Sequence, residues 1–503
     1  MAVETAVQTF KNLINGEWVE SVSKETFDSR NPALSTEVVA RFQASVEEDV
    51  RQAIEAAQQA FLSWRAVSPS KRAEILYKAA DLLEAGIEQY AAELTREEGK
   101  TLASSRMEVK RSVQTLRYYA SEGLNVSGVT LPSDDPTVFV YTKKEPLGVV
   151  AVITPWNFPI SIPVRKIAPA LATGNTVVFK PASDTPLIAY RLVEALHHAG
   201  LPAGVINFVT GSAAKIGKPL VTHPAVKAVT FTGSTAAGEQ ISQSVRLSTR
   251  VQLELGGKNP LIVLEDADLE QAAELAIKGG FELTGQACTG TSRVIVMDEV
   301  HDRFVDALVV KTKALKVGSG LSEGVEIGPL ANESQLTNVL SYIELGIAEG
   351  AKLVFGGEQL REGDYANGYY VSPAIFTDVR PGMRIAREEI FGPVISVIRA
   401  GSCQEAVEIA NDVDFGLSAA ICTADANRVQ YFIDHIQSGV VKVNRPTTGN
   451  ALNAPFGGVK MSSTATYRES GRAALDFYLQ EKTVYYGTKK TMPNPYSDTE
   501  GLR

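Results

Sequence analysis

Cys288 stands in Gly285-Gln286-Ala287-Cys288-Thr289-Gly290-Thr291-Ser292-Arg293, a run of small and hydroxyl residues bracketed by two glycines. Such neighbours let a substrate come close to a thiol, whereas a cysteine that only fills a core sits among apolar residues. Cys422, in LSAAICT, has those apolar neighbours, and Cys403 takes the same core reading. A second reactive candidate is Glu254, between Leu253 and Leu255 at the end of an apolar run and just before Gly256-Gly257. A carboxylate so placed is partly desolvated, which raises its pKa toward the range useful for a general base. Taken singly, each residue has a plainer alternative: a buried small side chain for Cys288, a surface acid before a turn for Glu254.

The elements that must hold these groups alternate in type. Short apolar runs VVAVI (149–153), TVVFK (176–180), VINFV (205–209) and AVTFT (228–232) are separated by helical stretches at 163–172, 187–199 and 213–221. Strand–helix alternation predicts a parallel sheet with helices on its faces. Ligands then bind at the carboxyl ends of the strands, where the loops TPWN, KPASD, VTGS and FTGS fall. A second α/β set follows Gly257, with strands expected at NPLIVL, SRVIVM, KLVFGG, VISVIRA and GVVKVN. Before the first set, Asn15-Gly16 predicts a hairpin turn. Ser45 with Glu48 predicts a capped helix through Phe61, and a long helix is expected after Ser70, over 73–94. Val138–Lys144 and KTVYYG (482–487) read as further strands, and the end of the sequence, 491–503, as a loose tail.

Bulk properties narrow the classes. A chain of 503 residues calls for two or three domains. Its net charge of -9 argues against a nucleic-acid binder, whose affinity rests on neutralising phosphates. The three cysteines make no disulfide framework, and none of the five histidines has a metal-ligand spacing with them, so no metal is expected. No signal peptide or membrane-spanning run is visible, which predicts no membrane association and a reducing cytoplasm. The GSTAAG segment has the glycine spacing of a P-loop, but Glu239 stands where the phosphate-binding lysine is required.

The ordered elements PWNFP, KPASDTP, FTGS, LELGGKNP, GQAC, EEIFGP and PFGG resemble those of the aldehyde dehydrogenase superfamily, from about Phe10 to about Tyr486. The resemblance implies an α/β fold with a Rossmann-type cofactor domain (1–128 and 147–257), an α/β catalytic domain (258–455) and a small β oligomerisation arm (129–146 and 475–490). It implies Cys288 as the nucleophile, attacking an aldehyde carbon to give a thiohemiacetal, which requires thiolate character and a positive or dipolar environment. Asn157 and the Cys288 backbone N–H would stabilise the oxyanion, and Glu254 would activate the water that hydrolyses the thioester. Either NADP or NAD is the implied cofactor. Ile153, Thr154, Pro155, Trp156 and Leu255 would line its site, Gly211, Gly233 and Ser234 would approach the pyrophosphate, and Lys180 the adenosine ribose. Glu389 and Phe391 would hold the nicotinamide ribose and ring. A homodimer or homotetramer is implied by the arm.

Two positions bear on specificity. Many NAD-preferring members carry a glutamate where this chain has Ser183; a serine can donate to the extra phosphate of NADP, which a carboxylate would repel. Adjacent Asp184 leaves its direction open. Arg165, eight residues after Asn157, matches the arginine that holds the distal carboxylate in semialdehyde dehydrogenases, the alternative being an ion pair or a solvated helix face. Succinic semialdehyde dehydrogenases often add an arginine where Glu282 stands, which ranks that substrate second. The flanking segments resemble dehydrogenases of 2,5-dioxopentanoate (α-ketoglutarate semialdehyde). A broad-specificity aldehyde dehydrogenase, a cysteine-dependent esterase and a non-catalytic scaffold are the competing readings.

Overall fold

A computed structural model describes residues 7–464 and 466–487. Asn15 and Gly16 both adopt positive φ and close a hairpin between Asn12–Ile14 and Glu17–Val19, as their residue types require. That hairpin joins the edge of a seven-stranded sheet through Leu13 opposite Phe208. The sheet's parallel part runs, in spatial order, Arg250–Glu254, Val226–Thr232, Val149–Ile153, Thr176–Lys180, Ile206–Phe208. Val149–Ile153 is buried at every residue because helices cover both faces, hence its unbroken apolar sequence. The chain leaves this strand on one side to Thr176–Lys180 and later returns on the other to Val226–Thr232. A crevice therefore opens at the carboxyl ends of those two strands, where the order reverses.

The second sheet also has seven strands, ordered Lys352–Phe355, Ala374–Thr377, Val394–Ala400, Thr291–Met297, Asn259–Val263, Ser418–Cys422, Val440–Val443. All pairs are parallel except the edge strand Lys352–Phe355. Ser418–Cys422 and Ala374–Thr377 are strands that the sequence reading did not isolate. A separate sheet of three strands pairs Leu479–Gly487 with Val138–Pro146 along nine residue pairs, and Thr130–Leu131 with its other edge. Phe139, Tyr485 and Tyr486 are exposed on it. The tail expected at 491–503, and residues 488–490 of the arm, lie outside the described residues.

Two helix expectations are corrected. The first long helix is Glu47–Trp64 with Val46 at its N-cap, and Asp49, not Glu48, closes the capping interaction by accepting from the Val46 N–H at 2.8 Å. Ser45 is used elsewhere: its hydroxyl accepts from Asn12 Nδ2 at 2.8 Å, tying the helix entry to the hairpin. The helix expected over 73–94 is two, Pro69–Ala85 and Ile87–Glu98, broken at Gly86, where a Cβ would meet the Tyr90 ring at 2.3 Å. Its cap is Ser68, which accepts from the Lys71 N–H. No helix among the described residues is long and apolar enough to cross a membrane.

Candidate active site

Three strand ends converge on the crevice. Val149–Ile153 runs into Thr154–Asn157, Val226–Thr232 into Gly233-Ser234, and Arg250–Glu254 into Leu255–Lys258. Ser234 caps the helix Thr235–Ser244 by accepting from the Ala237 N–H, and the other N–H groups of the first turn have no partner within the helix. The hydroxyls of Thr154, Thr232 and Thr235 are buried without a hydrogen-bond partner. A helix N-terminus ringed by unsatisfied donors suits a pyrophosphate. Lys180, at the end of its strand, is buried, donates to the Pro181 carbonyl, and is pushed down to about 8 by burial. Leu255 packs against Gly238, where a Cβ would approach it at 2.5 Å. Gly211 adopts φ +146° beside Ser45.

The second set of elements faces the first across the crevice. Glu389 accepts from the Gly257 N–H at 2.9 Å, and burial pushes its carboxyl up to about 7. A Cβ on Gly256 would come within 2.2 Å of Glu389, and one on Gly257 within 2.5 Å of the Cys288 carbonyl. The double glycine after Glu254 thus lets both the Glu389 carboxylate and the cysteine loop close onto the strand end. Phe391 takes φ 58°, a strained setting for a bulky residue, and its ring meets Trp156 edge-on with centroids 5.4 Å apart. Gln335 Nε2 holds that backbone by donating to the Phe391 carbonyl at 2.7 Å. With its cradle of glycines and orphaned hydroxyls, the crevice fits a dinucleotide.

Cys288 follows a turn in which Leu283 and Thr284 are left-handed and Gly285 has φ +69°. A Cβ at Gly285 would strike the Gly392 carbonyl at 2.2 Å, which explains the glycine. The thiol is half-buried, and the Cys288 N–H donates no hydrogen bond among the described residues. Asn157 is buried and donates from Nδ2 to the Gln286 carbonyl at 2.9 Å, so its amide lies against the cysteine loop with one N–H still unused. Burial pushes the Cys288 thiol up to about 12, and Arg165 opposes this. The positive environment expected for the thiol therefore exists, but it does not outweigh desolvation.

Glu254 is buried at its strand end; Oε1 accepts from Ser463 Oγ at 3.0 Å and Oε2 has no partner. Burial, reinforced by Glu469, raises its pKa well above the usual carboxylate range, against the opposing pull of Lys166. Gly457 makes room for it, since a Cβ there would lie 2.9 Å from Oε1. Lys166, Glu469 and Ser463 are residues the sequence reading missed. Lys166 Nζ donates to Thr230 Oγ1 at 2.9 Å and lies 3.5 Å from Glu469. Glu469 sits in a polar stretch with no periodicity to single it out, whereas Lys166, a cation inside the apolar helix Ser161–Ala172, carried a usable signal.

Arg165 lies mostly buried with Nε 3.7 Å from Glu469 and its guanidinium 5.5 Å from the centre of the Phe456 ring. It donates no hydrogen bond among the described residues, and Nε is left without a partner. Ser183 donates to the Gly211 carbonyl at 3.1 Å. Asp184 accepts from Asn332 Nδ2 at 3.1 Å. Glu282 is exposed at the start of the turn before Cys288.

The aldehyde dehydrogenase family model matches residues 18–484. The chain belongs to the aldehyde dehydrogenase family. Among its relatives, alpha-ketoglutaric semialdehyde dehydrogenase of Bacillus subtilis (strain 168) is 50% identical, covering 96% of this chain and 99% of its own. The 2,5-dioxopentanoate dehydrogenase of Saccharolobus solfataricus is 47% identical over 93% of this chain and 98% of its own. A crystal structure of betaine aldehyde dehydrogenase from Staphylococcus aureus in complex with NAD+ superposes with a TM-score of 0.93 at 35% identity, covering 97% of each chain. This aldehyde dehydrogenase accordingly has the α/β architecture expected from its sequence motifs, and its activity is NAD(P)-dependent oxidation of an aldehyde.

Proposed function

We propose that the enzyme oxidises 2,5-dioxopentanoate (α-ketoglutarate semialdehyde) to 2-oxoglutarate, with succinic semialdehyde as the second-ranked substrate. The observation that carries this is Arg165: a largely buried guanidinium, electrostatically felt by the Cys288 thiol, with no hydrogen bond of its own. Glu469, 3.7 Å from Nε, offsets part of that charge but leaves the guanidinium donors without an acceptor, and the carboxylate of an α-keto acid tail supplies one. The names of the Bacillus and Saccharolobus relatives support the same assignment.

Cys288 attacks the aldehyde carbon, and the free Asn157 amide N–H with the Cys288 N–H receives the oxyanion. NAD or NADP, when bound, supplies the hydride acceptor, held by Ile153–Trp156, Lys180, Ser183, Gly211, Gly233, Ser234, Leu255, Glu389 and Phe391. Glu254 then takes a proton from the water that attacks the thioester; its raised pKa suits that task. Lys166 and Glu469, paired at 3.5 Å, tune the Glu254 carboxyl in opposite directions, Glu469 raising its pKa and Lys166 lowering it. Residues 1–128 and 147–257 form the cofactor unit, 258–455 the catalytic unit, and 129–146 with 475–490 an oligomerisation arm whose exposed aromatics favour a homodimer or homotetramer. A cytoplasmic location fits the free thiols.

A panel of semialdehydes and neutral aldehydes assayed with both cofactors tests the reading. Highest kcat/KM on 2,5-dioxopentanoate is expected; a clear preference for neutral aldehydes would remove it. Light scattering should return a multiple of 54.0 kDa, and the monomer mass would count against the arm's role.

A further inference from the structure

Lys100 lies far from Cys288 in sequence and belongs to none of the motifs discussed above, yet it is almost wholly enclosed, 2% exposed. It follows the helix Ile87–Glu98, which ends at Gly99 with φ 99°. Its Nζ donates to the backbone carbonyl of Asn157 at 2.6 Å and to Glu108 Oε2 at 2.7 Å, and lies 4.7 Å from the centre of the Phe158 ring. Glu108, also buried, uses its other oxygen to accept from the N–H groups of Ile160 and Ser161, 3.2 and 3.1 Å away. Those N–H groups belong to the entry of the helix Ser161–Ala172, whose first donors would otherwise lack partners. One ion pair thus grips the segment 157–161 from both ends, fixing the carbonyl of the residue whose side chain faces the cysteine loop.

Burial works against the Lys100 charge, but Glu108 and Glu98 outweigh it and its pKa is raised. Glu98, 3.7 Å away, is itself pushed up to about 8 by burial. Replacing a buried pair such as Lys100–Glu108 by apolar residues would often stabilise a fold, so stability alone gives weak reason for its presence.

We propose that Lys100 and Glu108 are positioning residues for the oxyanion site: they lock the Asn157 backbone so that its amide meets the cysteine loop in register. This rests on the oxyanion role assigned to Asn157 above, and the test separates the two.

A double-mutant cycle between Lys100→Met and Asn157→Ala tests it, reading kcat, the Kd for NADP and the melting temperature of the full-length enzyme. Because a misplacement of about 1 Å can cost ~100-fold in rate, Lys100→Met is expected to lower kcat roughly 10- to 100-fold with the NADP Kd unchanged. In the Asn157→Ala background the same substitution is expected to cost nothing further. Additive losses would mean that Lys100 does not act through Asn157, and the proposal falls. An Asn157→Ala variant with undiminished kcat would overturn the oxyanion role and the proposal with it. If Lys100→Met does not fold because Glu108 is left buried and unpaired, Lys100→Met/Glu108→Gln replaces it in the cycle. That variant keeps an acceptor for Ile160 and Ser161, and the same two outcomes decide.

Discussion

Arg165→Ala removes the group on which the substrate assignment depends. A charge-assisted hydrogen bond to a carboxylate contributes about 1.5–3 kcal/mol, or roughly 10- to 100-fold in kcat/KM. The structure points to the middle of that range. Its side chain is 16% exposed, so solvent screens it little, but Glu469 at 3.7 Å already offsets part of its charge. Deleting the guanidinium also removes an influence that lowers the Cys288 pKa, so every aldehyde will be oxidised somewhat more slowly. The informative quantity is therefore a ratio: kcat/KM for 2,5-dioxopentanoate divided by that for hexanal, in the variant against the native enzyme. A fall of about 30-fold in this ratio is expected. An unchanged ratio with equal losses on both substrates would mean that Arg165 serves only the thiol and Glu469, and the semialdehyde assignment would lose its main physical support.

Ser183→Glu should move cofactor preference from NADP toward NAD, because a carboxylate at that strand-end loop repels a 2′-phosphate; strict NAD use by the native enzyme, measured as the ratio of the two kcat/KM values, would refute the argument. Glu469→Gln should shift the acid limb of kcat to lower pH. Glu254 acts as a base only when ionised, activity is lost as pH falls through its pKa, and the Glu469 charge helps to hold that pKa up. A limb that stays put or moves to higher pH would show the two carboxylates are not coupled in this way.

The fold was legible where sequence patterns are strong. Val149–Ile153 is an unbroken apolar run because both its faces are covered, and Asn15-Gly16 is a turn because both residues take positive φ. Ser45, a good helix cap by type, is recruited by Asn12 instead, leaving Asp49 to bridge to Val46. Gly86 looked tolerable inside a helix and instead ends one. In the site, Cys288, Glu254 and Asn157 stand in motifs with local signatures. Lys166, Glu469, Lys100 and Glu108 do not, since each acquires its meaning only from a partner distant in sequence, such as Lys100 on the Asn157 carbonyl. Ser183 stands where a carboxylate would bar NADP, and its hydroxyl donates to the Gly211 carbonyl, a contact no spacing announces.

Cys288 carries the acyl group and Glu254 releases it, and one variant separates the two steps. Glu254→Gln mixed rapidly with cofactor and 2,5-dioxopentanoate should give a burst of about one reduced nicotinamide per active site and then stall. Mass spectrometry of the quenched protein should find the acyl group on Cys288. Sustained turnover would show that Glu254 does not release the acyl group, and no burst with no acyl-enzyme would show that Cys288 does not carry it.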